Sequence, residues 1–249
     1  MMEQREGAWV TSKAQHDGGA SLTGEAKATL VRRMFDRIVP RYDQMNRLMT
    51  GGMDGRWRAL AARLAEPAGS NVLDIATGTG DMAMELRQCG AASVIGADFA
   101  GNMLRAAQAK LPASIPLVLA DAQHLPFHDA SVDRVTNAFL LRNLSDLDLG
   151  LREMRRVLRP GGKLICLEIT RPTPGIVAAL FGFYFYRLVP ALGGAITGQR
   201  AAYRYLPNSL TTFPRANELA MRLRQAGFRK IAYRLLAFGT VAIHVADVP

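Results

Sequence analysis

The stretch at residues 70–81 constrains the fold more than any other part of the 249-residue chain. Its sequence is Ser-Asn-Val-Leu-Asp-Ile-Ala-Thr-Gly-Thr-Gly-Asp. The apolar, β-branched run at 72–76 predicts a buried parallel strand that ends in a tight turn, and residues 81–87 can begin a helix. Gly78 and Gly80 lack the Cβ atoms that would keep a ligand away, and the helix offers unpaired N–H groups. The stretch predicts either a site for a nucleoside-containing ligand or a plain strand-to-helix connection.

Strand-like and helix-like segments alternate after this turn, which is typical of a parallel sheet covered by helices on both faces. The last two strands lack room for a crossover helix between them, so they are expected to pair antiparallel as a hairpin at the sheet edge. The prediction is an α/β fold with a mostly parallel seven-stranded sheet. Its strands are expected at 72–77, 93–98, 117–121, 132–138, 163–169, 230–236 and 240–246.

Two segments lie outside this alternation. Three short helical patterns at 23–67 predict either a lid over a ligand cleft or simple packing on the sheet, and Asp54 can cap the third helix. Residues 171–216 form an apolar, aromatic-rich insertion on the substrate side. Its central Arg187 and its glycines argue against a transmembrane span, and favour a role in holding an apolar substrate or touching a membrane surface. We expect a disordered leader at 1–22 and a single domain at 23–249.

The charge and the cysteine content narrow the function. A net charge of +10 predicts either an anionic partner or a solvated basic surface, and no basic run typical of a nucleic-acid tail is present. Cys89 and Cys166 have no spacing typical of a disulfide framework or a zinc site, and the four histidines show no metal-ligand pattern. We therefore expect no bound metal, and a protein of the reducing cytoplasm.

Polar residues at the ends of three predicted strands indicate a ligand, because ligands of open α/β sheets bind beyond the carboxyl ends of the strands. Asp98 can accept hydrogen bonds from two ribose hydroxyls, and Asp121 can accept one from an adenine amine. Asn137 ends the fourth strand and joins the candidate cofactor-binding residues.

The Gly-rich turn is also compatible with a dinucleotide-binding dehydrogenase, because residues 78–83 satisfy the Gly-x-Gly-x-x-Ala pattern. Three features oppose it. Asp74 lies inside the strand ahead of the turn, the terminal hairpin is foreign to that fold, and no Tyr-x-x-x-Lys pair is present.

Several motifs in order carry a resemblance. The sequence resembles the Rossmann-like class I S-adenosylmethionine-dependent methyltransferases at residues 74–80, Asp98, 121–122 and 159–162. It is more closely similar to the menaquinone/ubiquinone biosynthesis C-methyltransferase family, from about residue 30 to residue 246. The second resemblance is carried by Tyr-Asp-Gln-Met-Asn at 42–46, Leu-Arg-Asn at 141–143, Leu-Glu-Ile at 167–169 and Tyr-Arg-Tyr-Leu at 203–206.

The resemblance implies S-adenosylmethionine as cofactor and a role for each matching residue. It assigns the methionine part of the cofactor to Asp74, Gly78, Thr79 and Gly80, the ribose to Asp98, and the adenine to Met103, Asp121 and Ala122. It places Tyr42, Arg142, Asn143 and Tyr203 against a quinol. Departures from the family pattern at Ala138, Leu140 and 198–202 bear on the exact substrate.

The reaction implied is methyl transfer to a ring carbon of a polyprenyl quinol, either demethylmenaquinol or the benzoquinol precursor of ubiquinone. The reduced ring should react, because loss of a hydroxyl proton makes its carbon nucleophilic. Arg142 stays protonated, so it either stabilises the quinolate or is a structural ion-pair partner. Tyr42 would position the ring oxygen, and Asp43 is a weaker candidate for the base.

The predicted partners follow from a substrate with a long isoprenoid tail. Transient contact with an anionic bilayer would use both the basic charge and the apolar insertion. A homodimer is an open alternative to a monomer, and nucleic acid is not expected as a partner. Methylation of RNA or another small molecule, and a non-catalytic role in a quinone-synthesis complex, remain the other readings.

Overall fold

The computed structural model describes Leu22, residues 24–197 and residues 200–249, so the predicted leader lies outside the described residues except for Leu22. Three helices precede the sheet, as the sequence predicts. A 3₁₀ turn at Val39–Arg41 contains Pro40, and Gly51, at φ 59°, ends the second helix in the left-handed conformation. The helices are α1 (Gly24–Ile38), α2 (Tyr42–Thr50) and α3 (Met53–Leu64).

Alternating strands and helices follow, and the strands form a mixed sheet in the order β3-β2-β1-β4-β5-β7-β6. Strands β1 to β5 pair parallel with their neighbours, which confirms the predicted parallel core. These elements are β1 (Asn71–Ile75), α4 (Asp81–Gln88), β2 (Ser93–Asp98), α5 (Gly101–Lys110), β3 (Leu117–Leu119), β4 (Val132–Ala138), α6 (Leu147–Val157) and β5 (Leu158–Ile169).

The predicted C-terminal hairpin is also confirmed. After α10 (Ala216–Gln225), the strands β6 (Arg229–Leu236) and β7 (Val241–Asp247) pair antiparallel, and β7 pairs antiparallel with β5. Only a 3₁₀ turn at Ala237–Gly239 joins the two strands, which is too short for a crossover helix.

Most strands begin or end one or two residues from the predicted bounds, and two differences bear on the site or the topology. Strand β3 ends at Leu119, so Asp121 lies past the strand in an isolated bridge with His124. Strand β5 begins at Leu158 rather than at residue 163. Leu158 already pairs with Val132 of β4, and the register shift that follows on β4 accommodates the Pro-Gly-Gly segment.

The predicted insertion at 171–216 is helical. It contains α7 (Ile176–Phe183), a π-helical turn (Tyr184–Leu188), α8 (Val189–Thr197) and α9 (Arg200–Thr211). The hydroxyl of Tyr184 donates a hydrogen bond of 2.6 Å to the carbonyl of Met49, which ties the insertion to α2. By length and composition, the segment Ile176–Ile196 is apolar enough to cross a membrane, with a mean hydropathy of 1.6.

The core has one layer on each face of the sheet. Leu73, Val135 and Cys166 face one layer together with Leu151 and Met154 of α6. The opposite layer joins Val72, Val94 and Ile243 of the sheet to Ala61 of α3 and Leu86 of α4. Because both faces are covered, the carboxyl ends of the strands are the place left for a site.

Candidate active site

The Gly-rich turn after β1 places two glycines in left-handed conformations, with φ of 58° at Gly78 and 91° at Gly80. A Cβ at Gly80 would lie 2.6 Å from a side-chain carbon of Leu111, so the space there is already filled by protein. At Gly78 the nearest atom is Cε1 of Tyr42, at 4.0 Å. Gly78 is thus the glycine that leaves room for a ligand, while Gly80 serves the packing of the turn.

Asp98 is fixed at the end of β2 by backbone amides. Its Oδ2 accepts a hydrogen bond of 2.9 Å from the N–H of Gly78, and its Oδ1 accepts one of 2.9 Å from Ala100. Burial raises the pKa of Asp98 to about 6, while these amide hydrogen bonds act in the opposite direction. The carboxylate therefore has a fixed orientation, and each oxygen keeps a lone pair for a hydroxyl donor.

A narrow cleft brings Asp98 together with Asp121, Ala122 and Asn143. Asp121 uses Oδ1 to accept the backbone N–H of Gln123 at 2.9 Å. The buried Oδ1 of Asn143 has no hydrogen-bond partner among the described residues. This acceptor and the carboxylates of Asp98 and Asp121 fit a ligand rich in N–H and O–H donors, such as a nucleoside. Asn143, which the resemblance places against the quinol, lines this cleft and not the large cavity described below.

Asp74 and Thr79 lie close to the turn but are engaged by protein groups. Asp74 is 1% exposed, accepts a hydrogen bond of 2.7 Å from the hydroxyl of Thr136, and has a pKa raised to about 6 by burial. The hydroxyl of Thr79 donates at 2.7 Å to Asp43, which also pairs with Lys110 at 3.2 Å. Asp43 thus pins α2 to the turn, and it does not line the large cavity described below.

Two residues predicted to contact the cofactor are buried in the core. The side chain of Asn137 is fully buried, and its Nδ2 lies 3.2 Å from Sγ of Cys166 and 3.6 Å from Sδ of Met154. Successive strand residues face opposite sides of the sheet, and Thr136 is the one that faces Asp74. Asn137 therefore points into the core layer under α6. Met103 is 2% exposed and packs in the core at α5.

A cavity of about 550 Å³ lies on the other side of Tyr42 from the turn. It is enclosed by the N-terminal helices and the helical insertion, which meet over the end of the sheet. Its wall is mostly apolar, a character that suits an apolar ligand. The apolar lining includes Met34, Phe35, Ile38, Met49, Trp57, Phe139, Phe181, Phe185, Val189 and Leu206.

Tyr42 and Tyr203, which the resemblance places against the substrate, both line this cavity. Tyr42 packs edge-on against Phe35 with ring centroids 6.1 Å apart, and burial raises the pKa of its hydroxyl. Tyr203 is 2% exposed, and its ring packs directly on the backbone of Gly193. Since Tyr42 also approaches Gly78, it separates the cavity from the turn.

Arg142 lines the same cavity from a 3₁₀ turn (Leu141–Asn143) that follows β4. Its Nη1 pairs with Oε1 of Glu168 and donates to the carbonyl of Phe139 at 3.0 Å. Its Nε is buried and has no hydrogen-bond partner among the described residues. Arg142 therefore has an ion-pair partner, as one of the two interpretations of this residue expects, and a buried Nε–H that no described residue accepts.

A second buried ion pair lies at the cavity and was not predicted from the sequence. Asp54 lines the cavity, and its Oδ2 lies 2.6 Å from Nη1 of Arg58. Its Oδ1 accepts a hydrogen bond of 3.0 Å from the hydroxyl of Thr50. Gly52, not Asp54, occupies the N-cap of α3, so the capping role expected for Asp54 was wrong. The i, i+4 spacing of Asp54 and Arg58 was the available signal.

Phe139 connects the two ion pairs. The guanidinium carbon of Arg58 lies 5.4 Å from its ring centroid, and that of Arg142 lies 6.0 Å from it. Phe139 has φ 60°, a strained value for a bulky residue, and its ring lies within 6.0 Å of both cations. The end of β4 thus organises both charged groups of the cavity.

The mouth of the cavity is bordered by exposed apolar side chains, which we call the apolar rim: Met53, Val177, Leu180 and Phe238. Their exposed fractions are 41%, 41%, 65% and 89%. Phe238 has φ 56°, so the backbone is strained where it presents the most exposed of these side chains.

Within the described residues, no group of three or more His, Cys, Asp or Glu side chains could hold a metal ion.

Comparisons with known proteins agree with this geometry. The sequence profile of the ubiE/COQ5 methyltransferase family matches residues 23–247. A demethylmenaquinone methyltransferase of Thermus thermophilus is 47% identical over 221 residues, which are 87% of this chain and 100% of that protein. A ubiquinone/menaquinone biosynthesis C-methyltransferase UbiE of Desulfotalea psychrophila is 42% identical over 222 residues, which are 88% of this chain and 90% of that protein.

A solved structure shows the same fold at low sequence identity. An S-adenosylmethionine-dependent methyltransferase of Thermotoga maritima superposes with a TM-score of 0.63 and 18% identity, covering 87% of this chain and 99% of that protein. The predicted class I methyltransferase fold is therefore confirmed.

Proposed function

The chain belongs to the ubiE/COQ5 methyltransferase family, its cofactor is S-adenosylmethionine, and on that premise we propose that it methylates a ring carbon of a polyprenyl quinol. Demethylmenaquinol is the favoured substrate, since the relative at 47% identity is a demethylmenaquinone methyltransferase. The observation that carries the proposal is the 550 Å³ apolar cavity, which meets the Gly78 turn at the ring of Tyr42. An apolar quinol ring bound in this cavity would face a cofactor held by the turn.

The cofactor supplies an electrophilic methyl group on a positively charged sulfur. We assign its ribose to Asp98, its adenine to Asp121 and Ala122, and its methionine part to Asp74 of β1 and to the turn that contains Gly78 and Thr79. The support is the cleft itself. There, backbone amides fix the carboxylate of Asp98, and the amide oxygen of Asn143 has no hydrogen-bond partner among the described residues. Gly80 would act through the shape of the turn, because Leu111 fills the space beside it.

The chain's own residues would orient the ring, exclude water and stabilise negative charge. Tyr42 stays protonated, because burial raises the pKa of its hydroxyl, and can donate to a ring oxygen. The unpartnered Nε–H of Arg142 can donate to a quinolate oxygen, while Glu168 holds the guanidinium in place. Tyr203 completes the wall by packing rather than by charge. Alignment and water exclusion are the main catalytic terms for such a transfer.

The second candidate substrate is the benzoquinol precursor of ubiquinone, because one relative is named for both pathways. The deciding experiment measures transfer of labelled methyl from S-adenosylmethionine to demethylmenaquinol and to the benzoquinol, each in reduced and oxidised form. Methylation of a reduced ring would support the proposal, and the ratio of the two rates would identify the pathway. Cofactor binding without transfer to either ring would refute it. Methyl transfer to RNA under the same conditions would support the nucleic-acid reading instead.

We also propose that the protein works in the cytoplasm, at the inner face of an anionic membrane. The apolar rim surrounds the mouth of the cavity, and exposed apolar residues of α7 extend it, with Ile176 81% and Phe183 62% exposed. A net charge of +10 would attract the chain to anionic lipid. A substrate with an isoprenoid tail could then enter the cavity from the bilayer. A homodimer stays a prediction.

Vesicle flotation tests this docking. We expect binding to vesicles that contain phosphatidylglycerol, weaker binding to phosphatidylcholine alone, and reduced binding of Phe238→Ser. The matched control is Met221→Ser on α10, which removes a side chain that is 55% exposed but lies outside the rim. Equal flotation with both lipids, or equal loss in both variants, would contradict the proposal.

A further inference from the structure

Only two of the described residues that line the cavity are charged, Asp54 and Arg142. Arg142 cannot accept a proton, because a guanidinium stays protonated in proteins. Tyr42 cannot accept one either while its hydroxyl is protonated, and burial raises its pKa further. Asp54 is therefore the one described carboxylate in contact with the space where we place the substrate.

The reaction proposed above needs a proton acceptor at that place. A quinol carbon becomes nucleophilic when a ring hydroxyl loses its proton, and an apolar cavity offers little water to take it. Asp43, the candidate from sequence, is held away by Thr79 and Lys110 at the Gly-rich turn. The need for a base and the single carboxylate thus coincide at Asp54.

The surroundings of Asp54 hold its carboxyl group in one orientation. Arg58 on the same helix pairs with Oδ2 at 2.6 Å, and the hydroxyl of Thr50 donates to Oδ1 at 3.0 Å. A charge-assisted pair of this kind is stronger than a hydrogen bond between neutral groups. From other elements, Arg142 and Tyr42 line the same cavity. Each oxygen of Asp54 retains a lone pair for a third donor.

We propose that Asp54 is the general base of the reaction, an assignment that rests on the quinol substrate proposed above. A ring hydroxyl gives its proton to the carboxylate of Asp54, which leaves a negative oxygen on the ring. The ring carbon forms the new bond to the methyl group, and the electrons of the broken C–S bond stay on sulfur. Asp54 then returns its proton to the ring oxygen and takes the hydrogen of the methylated carbon as a proton, and the electrons of that C–H bond restore the aromatic ring. Asp54 releases this proton to solvent when the product leaves.

The test compares the wild-type chain with a variant that lacks both members of the ion pair. Asp54→Asn or Arg58→Met alone would leave the other member buried without its partner, which can unfold the protein. The test variant is therefore Asp54→Asn combined with Arg58→Met, which leaves neither charge unpaired, and its circular dichroism spectrum shows whether it is folded. At neutral pH we expect kcat of the double variant to be at least about 10²-fold lower than that of the wild type. KM for the quinol should change by less than about threefold. The difference in kcat between the wild type and the double variant should become smaller as the pH rises, because hydroxide then ionises the quinol in place of the base.

A second measurement does not depend on turnover. A 1,4-naphthoquinol bound anaerobically with S-adenosylhomocysteine is titrated by ultraviolet absorbance. The quinolate band should appear at a lower pH in the double variant than in the wild type, because the carboxylate of Asp54 opposes a second negative charge beside it. Equal kcat in the wild type and the double variant, a loss of kcat that does not change with pH, or identical absorbance titrations would each overturn the assignment. Absence of quinol methylation by the wild-type chain would instead overturn the proposed function.

Discussion

Arg142 and Glu168 form an ion pair whose side chains are only 5% and 1% exposed to solvent. Glu168 also accepts the backbone N–H of Ile169 at 2.9 Å and that of Arg142 at 3.4 Å. The pair joins the turn after β4 to the end of β5, directly at the wall of the cavity. One interaction therefore holds the scaffold together and orients a group that we place against the substrate.

Replacing Glu168 by Ala should destabilise the protein by about 3–5 kcal/mol, because Arg142 would remain buried without its counter-charge. Urea denaturation followed by circular dichroism measures the free energy of unfolding. The matched control is Glu66→Ala, which removes a salt bridge to Lys163 whose Glu66 side chain is 72% exposed. That variant should keep the wild-type midpoint. Equal effects of the two substitutions would show that the buried pair contributes no more than a surface pair.

The double variant Arg142→Met with Glu168→Met should separate stability from activity. Replacing both partners of a buried pair by apolar residues of similar volume is often neutral or stabilising. We therefore expect a midpoint close to wild type, unchanged affinity for S-adenosylmethionine by calorimetry, and a large loss of kcat. If this variant has the kcat of the wild type, Arg142 does not stabilise the quinolate and acts only as a structural ion-pair partner.

Cofactor affinity should depend on pH through Asp98. Its pKa is raised to about 6 by burial, and only the ionised carboxylate can accept both ribose hydroxyls. If the cofactor binds only that form, its dissociation constant should be about tenfold higher at pH 5 than at pH 7. Isothermal calorimetry across this range measures the effect. Asp98→Asn should bind weakly at both pH values and should lose the dependence, and a flat wild-type profile would contradict the role of Asp98.

The same raised pKa values predict how the ligand-free protein responds to pH. A carboxyl with a folded pKa of about 6 and an unfolded pKa near 3.9 binds more protons when folded. Its stabilising contribution is fully present below the unfolded pKa and is lost as the pH rises to 6, on the order of 2–3 kcal/mol for each of Asp74 and Asp98. Denaturation at pH 5 and pH 7 should show a smaller difference for Asp98→Asn than for wild type.

The sequence predicts the sheet well, because its strands are short apolar runs separated by turn residues. The Gly-rich turn, the strand-end Asp98 and the C-terminal hairpin all follow from local patterns that tertiary structure does not override. Strand β5 starts earlier than predicted because Leu158 pairs with Val132, a partner that no local pattern reveals.

The site is harder to predict, because direction and partners decide it. Asn137 sits at a strand end like Asp98, but the alternation of side chains turns it toward Cys166 in the core. Asp54 looks like a helix cap in the sequence, and only the meeting of α3 with the insertion makes it part of a cavity wall. Glu168 likewise gains its meaning from Arg142, which lies 26 residues earlier.

Gly80 and Leu111 give the last prediction, because the turn and α5 meet at this pair. Gly80→Ala places a Cβ 2.6 Å from the Leu111 side chain at φ 91°, whereas Gly78→Ala at φ 58° meets only Tyr42, at 4.0 Å. The left-handed conformation alone costs about 1–2 kcal/mol at either position, so Gly80→Ala should be the more destabilising by its added clash. Adding Leu111→Ala should recover part of the loss for Gly80→Ala and none for Gly78→Ala in a double-mutant cycle of unfolding free energies. Gly78→Ala should mainly lower cofactor affinity, since the open space beside it is where we place the ligand. Equal destabilisation of the two variants, or additivity of Gly80→Ala with Leu111→Ala, would contradict this division of roles.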